Sequence, residues 1–197
     1  MVSEELINAR AILEGSIIRS AQCFSEMINS RVHIEDLSIV FDSAMLNLSN
    51  QNHGEGSILL KTEIAGAIGG INYAIYSKEE VKLLCGQVLD GNLEKSQYYE
   101  FMIGFLKEVE NVLAAAVVTE IANHLDEPIF GDVPKIEAVS VDGIMEVIEK
   151  ETGPLKPNTV ISCGFSIPSV NISPRIVWFF NDSLVNAIIK EKSQKVA

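Results

Sequence analysis

The sequence predicts an α/β (α+β) protein: one pseudo-duplicated domain over residues 1–197, with a mixed β-sheet and two long helices packed on one of its faces. Three observations predict this. The chain has 197 residues, 47% of them hydrophobic and 21% charged, which is enough for one real core. Two long stretches, 3–29 and 96–125, carry apolar residues at helical spacing. Each is followed by the same order of elements (strand, loop, paired strands, short helix), which divides the chain into pseudo-repeats 1–91 and 92–197.

In the first half, Leu6, Ile7, Ala11, Leu13, Ile17, Phe24, Met27 and Ile28 set the helical stripe, and Val32 to Met45 then reads as extended. Gln51 to Gly56 is polar and glycine-containing, hence a loop. Ser57 to Ile64 and Ala67 to Tyr76 read as two strands joined around Ala65-Gly66. Ser77-Lys78-Glu79-Glu80 is a capping box, in which the Ser77 hydroxyl and the Glu80 carboxylate satisfy each other's backbone N–H groups. It opens a helix through Leu89 that stops at Asp90-Gly91.

In the second half, Ser96 to Leu125 is the other long helix and Pro134 to Val141 a strand. Asp142 to Pro157 is helical with Asp142 as N-cap, and ends in a Gly/Pro loop. Thr159 to Ile167 and Arg175 to Phe180 are strands around a Pro168 to Pro174 turn. Asp182 to Lys190 closes the chain as a short helix, capped by Asp182 or Asn181. The halves share almost no identical residues, so the repeat is one of pattern.

The net charge is -12 and the pI about 4.7, so phosphate backbones are repelled and nucleic acid is excluded as a partner. The N-terminus has neither a basic n-region nor an apolar h-region, so it is not read as a signal peptide. The longest strongly apolar run, Val112 to Val118, is too short to span a bilayer, which excludes a membrane. Cys23, Cys85 and Cys163 are odd in number and widely spaced; they read as small buried hydrophobes in a reducing cytoplasm. No GxSxG, P-loop, HExxH or strand-linked GxGxxG is present, and His33, His53 and His124 are isolated, so no metal set or nucleophile emerges.

The second long helix carries more information. Glu108 and Asn111 are three apart and share a face with Gly104, Ala115, Val118 and Ala122, a stripe of small residues that lets something approach closely. Asn gains little in mid-helix unless its amide has a partner. It also directly precedes the apolar run 112–118. On spacing alone, the pair is either a candidate site or the solvated edge of an amphipathic helix.

Glu108-Val109-Glu110-Asn111, followed after 22 residues by Pro134, resembles the signature of the CheC/CheX/FliY phosphatases: Asp or Ser, three residues, Glu, two residues, Asn, 22 residues, Pro. Thr119 stands where CheC proteins often have Thr, 132–136 resembles the family's approach to its strand, and 57–76 resembles its Gly-Ser-Val-Leu-Leu strand region. The residue matches concentrate in 108–136, while the element order matches over nearly the whole chain. Three positions depart from the pattern. Gly104 occupies the Asp or Ser position, Glu110 a usual Gly, and Leu113-Ala114-Ala115 a usual Gly-Ala-Gly. The first removes an accessory contact; the second is expected to add bulk and charge beside the site.

The family carries a twin site in the first half, and this chain does not. One register puts Glu14, Ile17 and Val40 at the Glu, Asn and Pro positions; the other puts Ala11, Glu14 and Leu37 there. Neither restores Glu-x-x-Asn, so the first helix reads as structural.

The resemblance implies hydrolysis of the aspartyl phosphate of a CheY-like response regulator at a single site. Asn111 would orient the attacking water and Glu108 would pair with the regulator's active-site lysine, with Gly104, Ala115 and Pro134 in the docking surface. The Mg²⁺ would belong to the regulator, so the chain needs no cofactor of its own. The alternative is a weak or inactive binding module that sequesters the phosphorylated regulator or binds a CheD-like deamidase. A purely structural part of a flagellar switch is a third reading, and homodimerisation through sheet edges stays open.

Overall fold

The computed structural model describes residues 4–41, 56–89, 94–139 and 143–195. The elements are α1 (Glu4–Met27), β1 (His33–Phe41), β2 (Ser57–Gly66), β3 (Gly70–Ser77), α2 (Lys78–Val88) and α3 (Lys95–Leu125). They continue with β4 (Ile129–Gly131), β5 (Lys135–Val139), α4 (Gly143–Thr152), β6 (Thr159–Ser166), β7 (Arg175–Phe180) and α5 (Ser183–Lys195). The expected continuation of the first strand to Met45, the 51–55 loop, the Asp90-Gly91 stop, Val141, the Asp142 cap and His53 lie outside the described residues.

One seven-stranded sheet runs β1-β6-β7-β3-β2-β4, with β5 also on β2. Every pairing is antiparallel. The α/β class holds, but the mixed sheet is corrected. β2–β3 and β6–β7 are hairpins, which are antiparallel by construction, and the helices link strands that are not neighbours, so no parallel crossover arises. The halves interlock: β5 of the second half pairs with β2 of the first, and β1 of the first with β6 of the second.

The central strands alternate, and both of their faces are covered. Leu60, Ala74, Tyr76, Ile161, Cys163, Ile176, Trp178 and Phe180 face the long helices, with α1 and α3 packed on each other above them. The Ser20 hydroxyl of α1 donates to the Leu113 carbonyl of α3 at 3.1 Å. The opposite face gathers Leu59, Ile71, Tyr73, Ile75, Val160, Val177 and Phe179 under Ile144 and Ile148 of α4. The long helices thus share one face as expected, and α4 covers the other. Tyr73 hydroxyl donates to Glu151 at 2.7 Å on that side, and Lys61 pairs with Glu151 at 3.0 Å and Glu63 at 3.1 Å. Burial works against the Lys61 charge, but the two carboxylates outweigh it and hold its pKa above the usual lysine value.

Local signals behave as their chemistry requires. The Ser77–Glu80 capping box forms in full, and the Asn181 side chain, of the two candidates, accepts from the Ser183 N–H at 3.1 Å. The β2–β3 turn, however, falls at Ala67–Gly69, one step beyond the expected Ala65-Gly66. Gly66 remains in β2 with φ +109°, paired to Ile129 of β4. A Cβ there would come within 2.2 Å of the Pro128 carbonyl oxygen, which accepts from the Ala67 N–H at 2.9 Å. Only glycine allows this approach. Gly66→Ala is therefore expected to cost about 2 kcal/mol or more. Thermal melting should fall by roughly 4 °C or more; an unchanged midpoint would refute the required contact.

Candidate functional site

The platform is α3. Its start is a box between Glu94 and Gln97, and its end is Asp126 in the left-handed region, whose N–H returns to the Ala122 carbonyl. Leu106, Val109, Glu110, Leu113, Val117 and Ile121 are buried against α1 and the sheet. The other side presents Gly104, Glu108, Asn111, Ala115 and Thr119, all exposed, as one continuous stripe. Val118, placed on that stripe by the sequence reading, is instead only 4% exposed and belongs to the core. The reason is angular: a residue seven on from Asn111 has drifted toward the buried side, and Thr119 takes the exposed place.

Among the described residues, neither Glu108 nor Asn111 makes a hydrogen bond or ion pair within the chain, so both side chains present their full polar capacity to solvent. Beside them Gly104 is open, since a Cβ there would meet nothing within 4 Å. The stripe is thus two polar groups on a low, unobstructed floor.

Pro134 is buried. β4 and β5 both run along β2, and Asp132 to Pro134 is the break between them. Asp132 bridges the break by donating its N–H to the Glu63 carbonyl at 2.8 Å. The β2–β5 ladder begins at Lys135, opposite Lys61, so Pro134, one residue before it, costs the ladder no hydrogen bond.

Glu110 is where the structure departs most from the sequence reading. It adds neither bulk nor charge beside the stripe; it points into the core, 0% exposed. One residue along a helix is a 100° turn, enough to move a side chain from one face to the other. Its Oε1 accepts from the Thr62 hydroxyl at 2.9 Å and from the Asn72 amide at 2.6 Å. Thr62 and Asn72 stand directly opposite each other on β2 and β3. Burial pushes the Glu110 carboxyl up to about 8, although both hydrogen bonds pull the other way, so it is mostly the neutral acid at pH 7. The signal available in the sequence was a pair of polar residues, Thr62 and Asn72, on strand faces otherwise apolar.

Other chemistry is not assembled. Burial pushes the thiols of Cys85 up to about 11 and Cys163 up to about 12, which keeps both protonated and unreactive. No group of three His, Cys, Asp or Glu side chains that could hold a metal occurs among the described residues, and no helix there is long and apolar enough to cross a membrane.

No protein-family model and no curated protein matches the sequence. Solved structures do. FliY of Thermotoga maritima superposes with a TM-score of 0.64 at 16% identity, over 99% of this chain and 98% of that one. CheX in a CheX–CheY–BeF3–Mg complex from Borrelia burgdorferi superposes at 0.58 with 12% identity, over 86% and 98%. The chain has the CheX/FliY fold. The middle domain of FliM from H. pylori shares it too, at a TM-score of 0.57 and 11% identity, over 96% and 99%. Within the CheX/FliY fold of this chain the two long helices are unequal. On α1, Ile17 is fully buried, while Glu14 is half-exposed and lies 3.9 Å from Arg10. In neither register does α1 offer the exposed carboxylate and amide that α3 presents at Glu108 and Asn111.

This asymmetry has a direct consequence for stability. Asn111→Ala should stabilise by about 0.5 kcal/mol, because alanine is the better helix former at an exposed position, and Glu108→Ala should stay within about 0.5 kcal/mol. Ile17→Ala should cost about 2–5 kcal/mol. Denaturant titration of the three variants checks the order; a large loss at Asn111 would mean that its amide is structural.

Proposed function

We propose that this protein hydrolyses the aspartyl phosphate of a CheY-like response regulator, using one site on α3. The observation that carries the reading is the unpartnered Glu108–Asn111 pair on the exposed face of a helix whose other face is fixed in the core. The CheX/FliY fold, and a fold neighbour that is a CheX bound to CheY with BeF3 and Mg, support the choice of partner.

Aspartyl-phosphate hydrolysis needs little covalent help and depends on positioning and charge. Asn111 would enter the regulator's site, where its amide donates with one end and accepts with the other and so holds a water in line. Glu108 would pair with the regulator's active-site lysine and fix the docking angle. Gly104 and Ala115 would form the floor that lets the regulator come close. The Mg²⁺ would be held by the regulator. The net charge of -12 suits a basic, lysine-bearing face, and a cytoplasmic location goes with that partner.

A second reading is a binding module without turnover, which would hold the phosphorylated regulator or a CheD-like partner. Its support is that a FliM middle domain, one of which is solved in a complex with FliG, has the same fold. Gly104, at a position that is Asp or Ser in the phosphatase pattern, points the same way.

Decay of a phosphorylated CheY-type regulator at fixed Mg²⁺, with and without the protein, separates the two. Acceleration by wild type is expected, with Asn111→Ala losing on the order of a hundredfold or more of it without any loss of folding stability. Glu108→Ala should weaken docking and rate together, and Glu14→Ala should leave both intact. Binding without acceleration favours the module, and damage by Glu14→Ala equal to that by Asn111→Ala means the wrong half has been chosen.

A further inference from the structure

Glu110 is the one fully buried carboxyl among the described residues, and the proposed reaction does not use it. It lies one residue before Asn111 and two after Glu108, on the opposite side of the same turn of α3. Thr62 and Asn72 are adjacent in the sheet, and Trp178 of β7 stands next to Asn72 in the same cross-strand row. Both donors converge on one oxygen, Oε1, from two strands at once. Apolar packing tolerates small rotations of a helix about its own axis, because its contacts are non-directional. Two convergent hydrogen bonds to a single side-chain atom do not, because they weaken steeply with angle.

We propose that Glu110 is a positioning residue for the Glu108–Asn111 pair, its carboxyl tying α3 to β2 and β3 through Thr62 and Asn72 and so fixing the rotation of the helix about its axis. The inference rests on the reading of Glu108 and Asn111 as the working pair and adds the residue that aims them. The tether is suited to the neutral acid: Oε1 can take both donors as a carbonyl oxygen, which leaves Oε2, buried without a hydrogen-bond partner, to carry the proton. Ionisation would put an unpaired charge in the core. Among the described residues no cation of α1, β2, β3, β4 or α5 acts on the group. From β3, Tyr76 faces it, with its own ionisation driven up by burial and then by Glu110. From α2, the Cys85 thiol, which lies by Tyr76, stays protonated.

The sign of the pH dependence follows. The folded chain holds the Glu110 proton up to about pH 8, whereas the ordinary value is 4.5. The stabilising effect is therefore complete below the ordinary value and is lost as pH rises toward 8, by about tenfold in the folding equilibrium per pH unit. Above about 8 the loss levels off, and the charged form dominates in the folded state. Aim should fail in that second window, while the pair itself is unchanged.

The variants are Glu110→Gln, which keeps the shared acceptor oxygen without the charge, and Glu110→Leu, which keeps the volume without the tether. Three readouts are taken from pH 5 to 9: denaturant unfolding, amide hydrogen exchange over 104–115, and regulator-phosphate decay divided by the spontaneous rate at the same pH. Wild type should lose folding stability relative to Glu110→Gln by about tenfold per unit between pH 5 and 8. Its acceleration should drop through pH 8, while that of Glu110→Gln stays level. Glu110→Leu should remain folded at pH 7, exchange tenfold or more faster over 104–115, and lose tenfold or more of kcat with KM little changed. Full acceleration together with wild-type exchange in Glu110→Leu overturns the proposal, as does a wild-type profile parallel to that of Glu110→Gln. If wild type does not accelerate decay at all, the phosphatase reading falls. The tether is then decided by exchange and unfolding alone.

Discussion

The antiparallel pairing of β3 with β7, from Gly70–Phe180 to Ile75–Arg175, is the constraint on which the rest depends. It joins two hairpins side by side, and each hairpin then takes its outer neighbour from the other half of the chain. Neither half can complete its sheet alone. The pairing also sets which residues of both hairpins face upward together: Asn72, Ala74 and Tyr76 from one, Ile176, Trp178 and Phe180 from the other. Because side chains alternate with a period of two, a one-residue slip would send all of these to the other face. The stacked pair of Trp178 and Phe180, ring centroids 5.7 Å apart, makes such a slip costly. The long helices therefore meet a surface whose shape is decided beneath them.

Much of this was legible in the sequence, because it rests on short-range chemistry. The capping box at Ser77 and Glu80, the two strand pairs and the helical stripe of α1, except for Ile7 and Ala11, which are exposed, each depend on residues a few positions apart. What was not legible depends on contacts distant in sequence. The turn after β2 was misplaced because Gly66 looked like a turn glycine. It is a strand glycine, required by the Pro128 carbonyl, 62 residues on. The pattern of the sheet was misjudged because hairpins and crossovers share the same strand signals, and only the partner of each edge strand tells them apart.

The candidate site divides along the same line. Gly104, Glu108, Asn111 and Ala115 were readable because helical spacing puts them on one face. Pro134 was readable as a landmark but its burial was not, since the break between β4 and β5 that holds it is set by their pairing with β2, distant in sequence. Glu110 was misread outright. A charged residue between Glu108 and Asn111 reads as surface, and burial of an acid is expected only where partners exist to receive it. Those partners, Thr62 and Asn72, lie on strands 48 and 38 residues earlier in the chain.

That misreading bears on why the acid is there. A well-packed apolar residue at 110 would fill the core at least as favourably, since a buried polar group gains little net stability even when bonded. What it supplies instead is direction. The apolar contacts of the residues around it, Leu106, Val109, Leu113 and Val117, have no preferred direction. A shared oxygen between Thr62 and Asn72 would not survive a small roll of α3. For a scaffold helix the difference is immaterial. For a helix whose far side must present an amide and a carboxylate at fixed angles to another protein, a few degrees at the axis become a large part of an ångström at the side-chain tips. On the proposed function, glycine at position 104, where the family pattern has an acidic or hydroxyl group, would make accuracy of aim fall more heavily on the remaining pair, and hence on the buried carboxyl proposed to hold their helix in register.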